Sequence, residues 1–120
     1  MSYDPSELFE YASVISGYLI PCSRDDGSID LYAKSYCGDT LVHAAVGKGD
    51  CDGVRYLCNA GLDINAKGDF FVTPLFMAAR SKNIEMVKLL IELGADPSLP
   101  NCLGDLPCKE TLKLAGYTQT

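Results

Sequence analysis

Thr73-Pro-Leu-Phe-Met-Ala-Ala-Arg-Ser-Lys-Asn-Ile-Glu-Met-Val-Lys-Leu-Leu-Ile-Glu-Leu-Gly-Ala-Asp96 reads as two short helices separated by a turn. The Thr73 hydroxyl can accept from a free N–H of the first helical turn. Pro74 suits the first helical position, where its missing N–H costs nothing. A break falls at Ser81, Lys82 and Asn83, and Asn83 can cap the second helix. That helix carries a narrow polar stripe, Glu85, Lys88 and Glu92, at three- and four-residue spacing. Ile84, Met86, Val87, Leu89, Leu90, Ile91 and Leu93 leave the rest apolar, which predicts a helix covered on both sides. Gly94 sits where a left-handed C-cap belongs.

The stretch recurs 33 residues earlier: Thr40 lies under Thr73, Leu57 under Leu90, Gly61 under Gly94 and Asp63 under Asp96. The polar stripe returns in phase as Asp52, Arg55 and Asn59. A fixed period of this size with two helices per unit is the signature of a stacked solenoid, in which each unit buries its apolar face against its neighbours.

The units resemble ankyrin repeats. The resemblance is carried by Gly38-Asp-Thr-Leu-Val-His-Ala-Ala45 and Thr73-Pro-Leu-Phe-Met-Ala-Ala79, closed by Leu57-Cys-Asn-Ala-Gly-Leu-Asp-Ile-Asn65 and Leu90-Ile-Glu-Leu-Gly-Ala-Asp-Pro-Ser98. The chain departs from the family pattern at Leu41 (proline in the family), Phe76 (histidine), Phe71 (glycine) and Pro97. The resemblance implies an all-α ankyrin solenoid of about three and a half helix-turn-helix units, joined by β-hairpin-like tips. It divides the chain, as one domain, into a degenerate capping repeat at 1–35, repeats at 36–68 and 69–101, and a truncated C-terminal cap at 102–120.

The flanking segments fit this division. Ser28-Ile-Asp-Leu-Tyr-Ala-Lys34 aligns without a gap under Gly61-Leu-Asp-Ile-Asn-Ala-Lys67, so residues 1–34 read as a first repeat. Pro21 and the turn-forming Ser23–Ser28 damage its second helix. At the other end Pro107–Ala115 is expected to form one helix, ended by Gly116 and wetted by Lys109, Glu110 and Lys113.

Composition limits the function. With 120 residues, 48% of them apolar, the chain can build a core. Its net charge of −6 argues against a nucleic-acid surface, which needs clustered Lys and Arg. The imbalance is confined to residues 1–66, where ten acidic residues face Arg24, Lys34, Lys48 and Arg55; residues 67–120 are balanced. An acidic half favours a basic partner or serves solubility. Cys22, Cys37, Cys51, Cys58, Cys102 and Cys108 form no Cys-x-x-Cys pair, so a zinc site is not expected. No secretory leader or membrane span is visible, and a reducing cytoplasm with free thiols is the simplest setting.

No nucleotide loop, metal cluster or acid–base pair stands at a recognisable spacing. No cofactor is expected, and the chain is not expected to be an enzyme. His43, the sole histidine, matches the family position that hydrogen-bonds backbone between units. By the same resemblance, partners are held by the tips and by the inner face of each first helix. Carried over, these positions are Tyr36, Cys37 and Asp39 in one tip and Asp69, Phe70 and Val72 in the next. Gly47 and Lys48, then Arg80 and Ser81, lie at the inner-helix ends, and Cys102, Leu103 and Asp105 continue the tip row.

Tyr36 and Phe70 stand out as aromatic anchors. Phe71 is expected to fold back over Phe76 and the core. Asp39 and Asp69 beside the aromatics suggest an apolar and acidic patch suited to a basic protein. The expected function is therefore protein binding by a small, self-contained monomer. The ranked readings are an inhibitor of one basic protein, of the kind found among immunity proteins that neutralise toxins, and then an adaptor for another protein or peptide. An enzyme or thiol redox sensor is the remote third.

Overall fold

The computed structural model describes residues 38–116; Tyr36, Cys37 and the expected first repeat lie outside them. Five α-helices follow in order: α1 Leu41–Lys48, α2 Cys51–Asn59, α3 Pro74–Arg80, α4 Ile84–Glu92 and α5 Lys109–Leu114. They pack as pairs, α1 on α2 and α3 on α4, and the pairs stack through α1 on α3; α5 rests on α3 and α4.

The first four helices begin where the sequence places a cap. Thr73 Oγ1 accepts from Phe76 N–H at 3.1 Å and Pro74 occupies the first turn of α3. Asn83 Oδ1 accepts from Met86 N–H at 3.2 Å, and Asp50 Oδ1 from Gly53 N–H at 2.9 Å. Each such cap contributes about 1 kcal/mol. Gly94 takes the left-handed conformation (φ 100°) that lets the chain reverse after α4.

The core is the expected apolar set. Leu41, Val42, Val54, Leu57, Leu75, Met86, Val87 and Leu90 are fully or almost fully buried. Burying each such side chain contributes roughly 1.5–3 kcal/mol. The polar stripes Asp52–Arg55–Asn59 and Glu85–Lys88–Glu92 remain in solvent. Arg55 and Glu92 join the two stripes at 3.7 Å, but both are exposed and such a pair adds little. A stronger tie between the pairs is half-buried: Asn65 Oδ1 accepts from Asp96 N–H at 2.8 Å. Asp63 and Asp96 stabilise the turns after the outer helices, accepting from Asn65 N–H and Ser98 N–H, both at 2.9 Å.

The last helix differs from expectation. It begins at Lys109 rather than Pro107, and Cys108 provides no side-chain cap. The register explains the delay. Leu106 falls where Thr40 and Thr73 cap the earlier inner helices, and a leucine has no oxygen to offer the first turn. Pro107, Thr111 and Leu112 are nevertheless buried, so the shortened helix still packs against the preceding pair.

Candidate protein-binding surface

The loops between helix pairs project as tips, and two are fully described, at 68–72 and 101–105. Gly68 N–H donates to Val72 O at 2.9 Å, closing the loop as a hairpin would. Inside the closure Asp69–Phe71 makes a tight turn without regular helical backbone, with Phe71 N–H donating to Gly68 O and Val72 N–H to Asp69 O, both at 3.0 Å. The next tip repeats this pattern: Asn101 N–H donates to Asp105 O at 2.9 Å and Gly104 N–H to Asn101 O at 3.0 Å. Cys102 N–H then donates to Phe70 O at 2.8 Å, joining the tips to each other.

His43 anchors the first described tip to the helices. Its Nδ1 accepts from Thr40 N–H at 3.1 Å, which puts the ring proton on Nε2, and Nε2 donates to Val72 O at 2.8 Å. The ring is buried, and burial pushes its pKa below the usual histidine value; the Val72 carbonyl and the charge of Asp39 oppose that shift. His43 is thus a structural bridge between units, as the resemblance implies. Asp39 Oδ1 completes the attachment by accepting from Asp69 N–H at 2.9 Å. Gly68 has to be glycine here: a Cβ would overlap the Asp39 carboxylate and lie 2.8 Å from His43 Nε2.

The tip's backbone is unusual. Phe70 and Phe71 have φ of 55° and 59°, the left-handed region that side chains other than glycine rarely adopt. In the neighbouring units the position of Phe71 is held by Gly38 (φ 95°) and Gly104 (φ 84°). Two left-handed phenylalanines in succession cost about 1–2 kcal/mol each. Neither ring recovers that cost by burial, since Phe70 is 69% exposed and Phe71 56%. Lys67 Nζ stands 5.7 Å from the centre of the Phe71 ring.

Two expected placements need correction. Phe71 does not fold over Phe76, because its left-handed backbone directs the ring outward; Phe76 is buried on its own helix with Arg80 at 6.0 Å over its ring. Val72, expected at the surface, is only 6% exposed: its carbonyl is committed to His43 and its side chain joins the buried set. Of the other expected residues, Lys48, Phe70, Arg80, Ser81, Leu103 and Asp105 are exposed and Asp39 and Asp69 half-buried; Tyr36 and Cys37 lie outside the described residues. Asp39 is turned into the tip backbone rather than outward.

Leu103, expected in the tip row, is 81% exposed, and Leu106 and Leu114 are exposed apolar side chains that the expectation did not include. Sequence reasoning placed Lys109 and Lys113 on a wet side without assigning them a role. The available signal was register, since Lys113 falls 33 residues after Arg80.

The thiols divide by environment. Burial, and secondarily nearby carboxylates, push Cys51 and Cys58 up; Thr111 draws the exposed Cys108 down. Among the described residues, no group of three or more His, Cys, Asp or Glu side chains is placed to hold a metal ion. No helix among them is long and apolar enough to cross a membrane.

Stacked helix pairs with capped inner helices, projecting tips and a histidine bridge between units define a helical repeat solenoid. The sequence pattern for ankyrin repeats in three copies matches residues 11–101, and the chain belongs to the ankyrin repeat family. It is 39% identical over 91 residues to an ankyrin repeat protein of Rickettsia bellii, covering 71% of this chain and 53% of that one. A second ankyrin repeat protein of the same organism is 37% identical over 101 residues, covering 82% and 53%. Human protein phosphatase 1 regulatory subunit 27 is 36% identical over 70 residues, covering 58% and 46%. The chain thus spans about half the length of these relatives. Ankyrin repeats are protein–protein interaction modules.

Proposed function

We propose that this chain is a non-catalytic module that holds one partner protein across its tips and the open side of its inner helices. The observation that carries this reading is the Phe70–Phe71 tip. Strained, non-glycine backbone combined with two solvent-exposed aromatic rings is unfavourable for the isolated protein on both counts. It becomes favourable where a partner covers the rings, because a rigid aromatic pair buries a large area at small entropy cost. The tip is held ready by His43, by Asp39 and by its backbone bond to the following tip.

The test is affinity capture from the source cell with the natural chain and with Phe70→Ala and Phe70→Ala/Phe71→Gly variants. The reading expects the captured partner to fall at least about tenfold in affinity while the melting temperature stays the same or rises. Undiminished capture by the double variant would remove the tip from the contact surface.

A second reading, an inhibitor that neutralises a basic protein such as a toxin, is supported by the net charge of −6 and its concentration in residues 1–66. Such a complex should dissociate steeply with added salt and survive loss of the tip phenylalanines.

A further inference from the structure

The exposed side of the inner helices carries charge of the opposite sign to the chain as a whole. Helix α3 is covered by α4 and flanked by α1 and α5, so its remaining side faces away from the stack. That side presents half-buried Met77 and exposed Arg80. One unit on, Glu110 and Lys113 occupy the same register on α5, and Lys109, which takes the register of Phe76, is exposed beside them. Lys48 stands at the exposed end of α1, one position further along the register. Among the described residues, four bases and one acid therefore occupy the inner helices. The remaining acidic side chains of residues 38–116 lie elsewhere: Asp52, Glu85 and Glu92 on the outer helices, Asp50, Asp63 and Asp96 at caps and turns, and Asp39, Asp69 and Asp105 in the tips. Arg80 is held on its face by stacking at 6.0 Å over Phe76.

We propose that this face binds an acidic, extended polypeptide segment of the partner, which places an apolar side chain against Phe70, Phe71 and Leu103 and its carboxylates against Arg80, Lys109 and Lys113. The proposal rests on the binding reading above and adds the chemistry of the occupant. Charge complementarity selects that occupant: along the described inner helices a basic segment would meet like charge, and among the described residues its only acidic contact there would be Glu110. Spacing agrees with it. Packed helices lie about 8–10 Å apart, so successive bases along the stack match a carboxylate on roughly every third residue of an extended chain rising about 3.3 Å per residue.

The experiment is fluorescence anisotropy with the full chain and two labelled peptides of equal length, one rich in glutamate around a central phenylalanine, the other with lysine for each glutamate. The glutamate peptide should bind and the lysine peptide should not. Arg80→Glu/Lys113→Glu should weaken binding roughly tenfold, as expected for two lost partly exposed charge contacts, and Arg80→Gln/Lys113→Gln by less. Arg55→Glu/Lys88→Glu, on the outer stripe, should leave it unchanged, with circular dichroism confirming the fold of each variant. Preference for the lysine peptide, no binding of the glutamate peptide, or equal loss from the outer-stripe reversal overturns the proposal. If the inner reversal has no effect on partner capture while Phe70→Ala/Phe71→Gly abolishes it, this inference falls and the binding reading stands.

Discussion

Replacing His43 tests the account of how the tip is attached to the helices. The ring is buried, donates to Val72 O and accepts from Thr40 N–H. His43→Ala leaves the buried Thr40 amide without its partner, takes one of two donors from the Val72 carbonyl, which keeps Gly68 N–H, and opens a ring-sized cavity. An orphaned buried group costs about 1–3 kcal/mol, and with the cavity the loss should be about 3–5 kcal/mol in all. The same geometry predicts a pH dependence. In the folded chain the imidazole's pKa lies below its ordinary value of 6.5, with desolvation the leading cause. The unfolded chain therefore binds a proton that the folded chain resists. Stability from this group is fully present above pH 6.5 and is lost as pH falls toward the folded-state pKa, by at most about 1.4 kcal/mol per pH unit. The assay is urea unfolding followed by circular dichroism from pH 7.5 down to pH 5, roughly the range in which histidine titrates, on the natural chain and on His43→Gln, which does not titrate. The difference in stability between the two should shrink as pH falls. A constant difference, or a loss below about 1 kcal/mol for His43→Ala, would refute the reasoning.

Three further outcomes are expected. Leu57→Ala and Leu90→Ala, each at a fully buried position, should cost about 2–5 kcal/mol in urea unfolding, and a loss under about 1 kcal/mol would show that the stacking register is wrong. Leu106→Thr should restore the missing cap of α5 and stabilise the chain by about 0.5–1.5 kcal/mol, read as a raised melting temperature; an unchanged or lower value would mean that the late start of the helix has another cause. Cys108 should react with a disulfide reagent near neutral pH faster than Cys51 or Cys58, because its pKa is lowered while theirs are raised, and peptide mapping at equal rates for all three would contradict those environments.

The repeat was legible in the sequence because its signals are local. A capping hydroxyl at Thr40 and Thr73, the Asn83 amide and the left-handed glycines each act within one helical turn of themselves, so register alone predicts their geometry. The His43 bridge was legible for the same reason, with its long-range half implied by the family pattern. The tips were less legible. The family pattern marks Phe71 as standing at a glycine position, but the direction of its ring depends on a backbone angle that phenylalanine seldom adopts, and an apolar residue is expected to turn inward. Val72 went wrong in the complementary way: the tip's closing bond and the imidazole fix its carbonyl, and that fixes its side chain. The late start of α5 is legible in Leu106, which stands in the register of Thr73 without a capping hydroxyl, whereas Pro107 alone points to an earlier start.

Net charge alone does not choose the partner of a repeat protein, because the fold sorts charges by face. An acidic total suggests a basic partner only if the acids share the contact surface. Here Asp50, Asp63 and Asp96 are fixed by the demand for acceptors at helix starts and turns, and Asp39 by the amide of Asp69, so these carboxylates serve the backbone that positions them. The bases of the inner helices have no such architectural duty except at Lys48, Arg80 and Lys113, which also suit the negative end of a helix dipole. Lys109 opens the first turn of α5, where the dipole disfavours a cation, so its presence beside Arg80 and Lys113 is not explained by helix stability. Neutralising it as Lys109→Gln should therefore leave the melting temperature unchanged or slightly raised and still weaken binding of a glutamate-rich peptide. A variant that binds such a peptide as well as the natural chain would return Lys109 to the role of a solvated surface charge.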